Sequence, residues 1–325
     1  MEIWALTDDR MGNINQVLGV AEALKLPFEI KKITYDKWVK LPNFLRGATL
    51  RGIDTDSIKQ IDVSAEKLPD LVIGAGRRIF PLMLYLKKKS KGKTKIVQLM
   101  NPGFFGFKKA DLIVLPLHDQ YKGKADNVIQ TLGAAHRITK ERLQDEFEHW
   151  KPVFEKYPAP IISVIVGGAT KKAPFTDEMA RSLASCVLAM EPASLLITTS
   201  RRTPPSVIEI LQRMFPKDKT FFYKFGDKRE NPYFGLLAWG SKIVVTGDSM
   251  SMCSEACAAG VPVYIFAPDG TMGKKHALFH QQLYKSGYAT PLGSGTTAFG
   301  GRLNAAKEVA LKIKSMFNLE CEQDD

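Results

Sequence analysis

The feature that most constrains this chain is a rhythm. Short β-branched and aliphatic runs alternate with longer stretches whose apolar residues recur at helical spacing, and the whole series is played twice. That alternation is the pattern of βαβ units, which build a parallel sheet covered by helices. In the first half the spacing predicts strands at 3–7, 28–34, 71–74, 95–100, 112–115 and 127–132, with helices at 16–24 and 79–89. In the second it predicts strands at 161–166, 195–199, 220–225, 243–245 and 263–266, with helices at 176–190, 205–215, 251–259 and 303–317. The expected class is α/β with two parallel-sheet halves. Prolines 152, 158 and 160 cannot continue a helix or a central strand, so 149–160 reads as the linker. The domains expected are 1–150, 151–302 and a terminal helix with an acidic tail at 303–325.

Composition narrows the partners. The 325 residues carry a net charge of +12 with 45% hydrophobic residues, enough to fill two cores. The basic excess is spread, +7 over 1–150 and +5 over 151–325, so both halves should attract anions: nucleic acid, an acidic membrane surface or a phosphorylated small molecule. No recognition helix, RNP pattern or zinc finger supports nucleic acid. No run reaches the roughly 18 apolar residues of a membrane helix, and the acid at Glu2 stands where a signal peptide needs bases. The expected location is the cytoplasm. Cys186, Cys253, Cys257 and Cys321 form no CxxC pair, and Cys253 and Cys257 lie one helical turn apart in an Ala-rich run; they read as buried thiols rather than a zinc or disulfide framework.

The chemistry is concentrated where strands end. In open parallel sheets ligands bind at the carboxyl ends of strands, where glycines let backbone amides and helix N-termini approach phosphates. Four such turns stand out: Asp9-Arg10-Met11-Gly12-Asn13, Gly74-Ala75-Gly76-Arg77-Arg78, Gly167-Gly168-Ala169-Thr170-Lys171-Lys172 and Thr246-Gly247-Asp248-Ser249-Met250-Ser251. None matches GxGxxG or the P-loop, which removes support for a dinucleotide site and for a nucleoside triphosphatase. Gly168, Thr170 and Lys171 combine amide, hydroxyl and ammonium donors before a helix, which suits a diphosphate. Ser200-Arg201-Arg202-Thr203 offers guanidinium forks for the same group.

The segment from Val244 to Ile265 is the most specific. A strand ends in Thr246-Gly247, the hydroxyl-rich Ser249-Met250-Ser251 starts a helix, Glu255 sits in its second turn, and Gly260-Val261-Pro262 stops it. This order resembles the donor-binding signature of GT-B glycosyltransferases, with the peptidoglycan N-acetylglucosaminyltransferase nearest in pattern. The resemblance implies that the turn meets a diphosphate and that Glu255 accepts hydrogen bonds from ribose hydroxyls. It continues through Pro268-Asp269-Gly270, a helix with Lys275, His276, His280 and Gln281, and Lys285-Ser286-Gly287-Tyr288-Ala289, where that class keeps sugar-facing polar residues. Over nearly the whole chain, Asp9 to Gln16, Pro116-Leu117-His118-Asp119, Thr131-Leu132-Gly133-Ala134, Thr198 to Pro204 and Thr246 to Glu255 together resemble the family of bacterial glycosyltransferase-like proteins that also contains the plant elongated-mitochondria fission protein. The family implies a GT-B-like fold, two Rossmann-like domains facing a cleft. Its members carry labels as glycosyltransferases and as nucleotide-sugar epimerases, and the plant relative acts as an adaptor.

Glycosyl transfer without a metal needs a base for the acceptor proton and positive groups for the leaving nucleoside diphosphate. His118, with Asp119 orienting it or acting itself, is the first choice of base, and Asp9 the second. His276 and His280 share a helical face but lack a third ligand, so sugar contact or plain surface is favoured over zinc. Asp54-Thr55-Asp56, the one DxD, falls in an expected loop, and no G-x-S-x-G occurs. The expectation is thus a metal-independent GT-B glycosyltransferase with no cofactor beyond its nucleotide-sugar substrate. The donor side holds Gly168, Thr170, Lys171, Ser200, Arg201, Arg202, Gly247, Ser249, Ser251, Glu255 and His276, and the first domain adds Gly12, Asn13, Gly76 and Arg77. The aromatic-basic stretches at 38–51, 87–95 and 104–109 suit an anionic membrane surface or a lipid-linked acceptor at the membrane periphery. The rivals are an epimerase on the same fold and a non-catalytic adaptor.

Overall fold

The computed structural model describes residues 1–61, 64–103, 106–169, 174–268 and 270–319. Phe104, Phe105, Thr170, Lys171, Lys172, Asp269 and Cys321, singled out above, lie outside them. In chain order the elements are β1 (Ile3–Thr7), α1 (Met11–Ala23), β2 (Glu29–Lys32), α2 (Asn43–Arg46), α3 (Thr55–Ile61), β3 (Leu71–Ala75), α4 (Phe80–Lys89), β4 (Lys95–Leu99), β5 (Leu112–Pro116) and β6 (Val128–Thr131). There follow α5 (Lys140–Phe154), β7 (Ile161–Val166), α6 (Asp177–Leu188), β8 (Ser194–Thr199), α7 (Pro205–Met214), β9 (Thr220–Tyr223), α8 (Tyr233–Trp239), β10 (Lys242–Thr246), α9 (Met250–Ala258), β11 (Val263–Phe266), α10 (Lys274–Lys285), β12 (Thr290–Pro291) and α11 (Ala305–Met316). Among the described residues the strands form two six-stranded sheets, ordered β2-β1-β3-β4-β5-β6 and β12-β11-β10-β7-β8-β9, parallel throughout. Every expected strand forms with its ends within two residues, because central strands buried on both faces read as unbroken apolar runs.

The strand order reverses once in each sheet, between β1 and β3 and between β7 and β10. At such a switch point the connections leave in opposite directions and open a crevice at the carboxyl ends of the strands. The Asp9–Asn13 segment, whose last three residues already belong to α1 instead of preceding a helix at 16, and the Gly74–Arg78 turn flank the first reversal, and the Gly167–Gly168 and Thr246–Ser251 segments the second.

The chain divides into two compact units, Met1–Arg137 together with the chain from Asn304, and Ile138–Leu303. In the first unit, Val17, Val20, Ala21 and Leu24 of α1 pack with Ala306, Val309, Ala310 and Ile313 of α11 over one sheet face, while α4 covers the other with Phe80, Leu82, Met83 and Leu86. In the second unit α6 and α7 cover one face and α5 and α8 the other.

Here the linker expectation fails. Lys140–Phe154 is a helix that runs through Pro152, and its aromatic side belongs to the second unit's core: Trp150 and Phe154 pack with Ile161, Leu196, Phe221 and Leu236. Phe147 stacks on Trp239 at 4.2 Å, and the Trp239 indole N–H donates to the Phe147 carbonyl at 2.9 Å. This burial offsets the hydrogen bond that one proline removes near the helix end. The DxD is likewise not a loop: Asp54 accepts from the Asp56 and Ser57 amides at 2.8 and 3.1 Å and caps α3. These bonds, led by that from Ser57, hold the Asp54 carboxyl below its ordinary 3.8. Cys253 and Cys257 are buried thiols, as read from sequence; burial pushes the first well above 9 and the second to about 12.

Candidate functional site

In the second unit β10, β7 and β8 lie side by side, so the turns that follow them meet. Their meeting point is Asp248, a carboxylate only 5% exposed. Its Oδ1 accepts from the Thr246 hydroxyl at 2.7 Å, and its Oδ2 accepts from the Gly168 amide at 3.0 Å and from Arg202 Nη2 at 2.7 Å. Thr246 Oγ1 in turn accepts from the Gly167 amide at 2.7 Å. Thr203 donates to the Gly167 carbonyl and accepts from the Ser200 amide at 2.9 Å, which joins the third turn. The glycine pair follows from this crowding: a Cβ on Gly167 would enter the Asp248 carboxylate, and one on Gly168 the Arg202 carbonyl.

Arg202 is thus committed to a neighbouring acid and the backbone, and its guanidinium arrives half neutralised at any bound anion. Arg201 beside it is exposed and forms no ion pair with a described residue. Ser249 caps α9 by accepting from the Met252 amide, which leaves its hydroxyl proton to donate outward; Ser251 is half-buried in the first turn. The N-terminal end of α9 carries the partial positive charge that favours an anion.

Glu255, one turn further, is 4% exposed. Its Oε2 accepts from the Tyr233 hydroxyl at 2.5 Å. Burial, and after it the Glu255 charge, pushes that phenol well above 10, so it stays a donor. His276 is half-buried near the start of α10. His280, by contrast, is a packing residue: it is buried and its Nε2 donates to the Gly247 carbonyl at 3.0 Å. Burial, offset in part by that bond, lowers its imidazole from 6.5 to about 4. The unfolded chain therefore takes up a proton near pH 6.5 that the folded chain refuses until about pH 4. Stability is whole above 6.5, falls as pH drops through that window, and is reduced by about 3 kcal/mol below it. Urea midpoints across pH 4–7 should show the slope, and His280→Gln, which keeps a donor but not the titration, should flatten it.

In the first unit the equivalent strand ends carry a second buried acid. Asp8 accepts from the Arg10 amide at 3.0 Å, from Asn13 Nδ2 at 3.1 and 3.2 Å, and from Arg78 Nη2 at 2.8 Å. Arg78 also bonds Asp9 and lies over the Tyr35 ring at 4.6 Å. Slight burial works to raise the Asp9 carboxyl, but the Arg78 bond and charge outweigh it and hold the group below 3.8. That makes Asp9 a weak proton acceptor. Gly12 gives its carbonyl to Gln16, Gly76 hydrogen-bonds through its amide to Leu99, and the exposed Arg77 reaches the Leu41 carbonyl at 3.1 Å. His118 is buried and Asp119 half-buried in the short turn that follows β5. The structure thus brings Asp9, Gly12, Asn13, Gly76 and Arg77 to one switch point of the first unit, and Gly168, Ser200, Arg201, Arg202, Gly247, Ser249, Ser251 and Glu255 to that of the second.

The buried Asp8 and Asp248 and the half-buried Arg78 and Tyr233, which organise the two sites, were missed as sites in the sequence. The signal for both acids was available: each is a carboxylate within two residues of a strand end, followed within a few residues by helix-starting polar groups. Tyr233 had no signal, since its partner lies 22 residues away. Among the described residues no group of three His, Cys, Asp or Glu is placed to hold a metal ion.

A family model described as Mitochondrial fission ELM1 matches residues 11–317. A Rickettsia prowazekii (strain Madrid E) protein, RP120, is 31% identical over 359 aligned positions covering 97% of this chain and 98% of that one. Among solved structures, the UDP-GlcNAc 2-epimerase of Methanocaldococcus jannaschii superposes with a TM-score of 0.54 at 12% identity, covering 98% of this chain and 100% of the other. The E. coli ADP-heptose LPS heptosyltransferase II superposes with 0.50 at 11%, covering 98% and 99%. Similarity at that level is one of fold: two Rossmann-like parallel-sheet domains of the GT-B-like class.

Proposed function

The chain belongs to the Mitochondrial fission ELM1 family, and from that premise we propose that it is a metal-independent glycosyltransferase. It moves a sugar from a nucleoside diphosphate to a lipid-linked or cell-envelope acceptor at the membrane periphery. The observation that carries the reading is the second unit's switch point. A buried carboxylate, Glu255, stands one turn inside a helix whose amide end opens beside two glycine-lined strand ends. Amides accept phosphate charge and a carboxylate accepts ribose hydroxyls, so one helix start suits both parts of a nucleotide. UDP-GlcNAc and ADP-heptose, named for the two solved relatives, are sugars on nucleoside diphosphates.

In this reading the α9 amides, Gly168, Gly247, Ser249, Ser251 and Arg201 take up the charge of the leaving diphosphate, with Ser200 and Arg202 beside them and His276 toward the sugar, and the sequence adds the hydroxyl of Thr170 and the ammonium of Lys171 as further donors for the same group. His118 or Asp119 receives the acceptor proton. Asp9, kept ionised at low pH by Arg78, is the poorer base.

Calorimetric titration with UDP, ADP and their sugars tests this directly. Glu255→Ala should weaken binding by roughly tenfold to a hundredfold, the worth of hydrogen bonds to a charged group. Absence of binding to every nucleoside diphosphate, or unchanged binding in the variant, overturns the donor assignment. An epimer formed from donor alone turns the reading to an epimerase, and binding without turnover to the adaptor.

A further inference from the structure

We propose that a lysine-lined groove on the first unit docks the protein on an anionic lipid bilayer. The groove, about 480 Å³, lies between the end of α4 and the turn at Phe107–Lys109, with Ala48 and Leu84 in its wall. Lys87 donates to Asp111 at 2.6 Å and to the Lys109 carbonyl at 3.1 Å, and Lys95 holds the other Asp111 oxygen at 3.3 Å. The nearby acid is therefore used up. Lys88, Lys91 and Lys108 line the same groove, are exposed, and form no ion pair with a described residue. Lysines in the last turn of α4 suit its negative end, but that account does not reach Lys91 and Lys108, which lie outside the helix.

The second observation is apolar. Helix α2, which packs against α4, leaves Phe44 65% and Leu45 60% exposed. Trp38, in the preceding turn, is 49% exposed with Lys37 and Arg51 over its ring at 5.8 and 5.9 Å. Asn43 and Arg46 of α2 donate to the Arg77 and Arg78 carbonyls at the start of α4, the lysines lie at its end, and Ala48, two residues past α2, is in the groove wall. An apolar and a basic surface thus flank one helix, matching the two layers of a bilayer surface, anionic headgroups over the start of the acyl region. A polynucleotide would use the lysines but leave Phe44 and Leu45 in water. The surface rests on and deepens the acceptor half of the proposed function, and lipid binding is read without nucleotide, so either can fail alone.

The test is sedimentation of the full chain with phosphatidylcholine vesicles and with vesicles that also contain phosphatidylglycerol. Binding is expected only to the second, and should weaken as salt is raised. Lys88→Glu with Lys91→Glu and Lys108→Glu should weaken it by roughly a hundredfold or more, from the usual contribution of a lysine near an anionic surface. Reversing Lys217, Lys219 and Lys228 in the second unit should leave most of it. Phe44→Ser with Leu45→Ser should remove the part that survives salt. Equal loss in the two lysine triplets, equal binding to both vesicles, no vesicle binding, or preferential retention on short duplex DNA overturns the proposal; circular dichroism confirms that each variant is folded.

Discussion

Replacing Asp248 by alanine should destabilise the second unit by about 2–5 kcal/mol, the usual cost of leaving two buried donors without an acceptor. The change strands three donors at once: the Thr246 hydroxyl, the Gly168 amide and the Arg202 guanidinium. Arg202 is 41% exposed and water can reclaim it, so the cost falls mainly on the two buried donors. Asp248→Asn keeps the shape and part of the bonding and should lie between the two. Because the same carboxylate gathers the turns after β7, β8 and β10, nucleotide binding should fall in parallel with stability. Urea denaturation and calorimetry of the same preparations measure both. A loss under about 1 kcal/mol would show that the turns hold their geometry without Asp248.

Removing the chain from residue 304 onward should unfold the first unit while leaving the second intact. Burying Val309 and Ile313 alone contributes about 3–6 kcal/mol, and the helix also covers Val17, Val20 and Leu24 of α1, which its loss would expose. That total approaches the whole stability of an ordinary domain. A milder version, Ile313→Ala, should cost about 2–5 kcal/mol. Hydrogen exchange separates the units: amides of β1 and β3 should lose protection in the truncated chain while those of β7, β8 and β10 keep it. Persistent protection of β1 would mean that α11 is an ornament on a core complete without it.

What was legible in the sequence and what was not divides along a physical line. The central strands are apolar on both faces and announce themselves; so do α6, α7 and α9, each opened by a capping or helix-starting residue, Thr176, Pro205 or Ser249. The glycine turns were legible because close backbone approach tolerates little else, as Gly167 and Gly168 illustrate. α5 was not, since Pro152 outweighs in local terms what Trp150 and Phe154 gain from contacts with β7, β8 and α8, and those contacts are invisible until the chain is folded. The same holds for the site's wiring. That Arg202 faces Asp248, or that Tyr233 supplies a proton to Glu255, depends on which strands lie side by side, and strand order is not written in any one segment.

The membership of α11 in the first unit has a consequence for how this protein is made. The second unit is one continuous stretch, Ile138–Leu303, whereas the first is assembled from two pieces of chain that flank it. A ribosome delivers the flanking pieces at opposite ends of its work. Domains generally fold as units as synthesis proceeds, so 138–303 can settle as soon as it has emerged, while the earlier-made 1–137 waits with the α1 face of its sheet uncovered until residues 304–317 arrive. During that interval the exposed strip formed by Val17, Val20, Ala21 and Leu24 is where a chaperone would find the nascent chain.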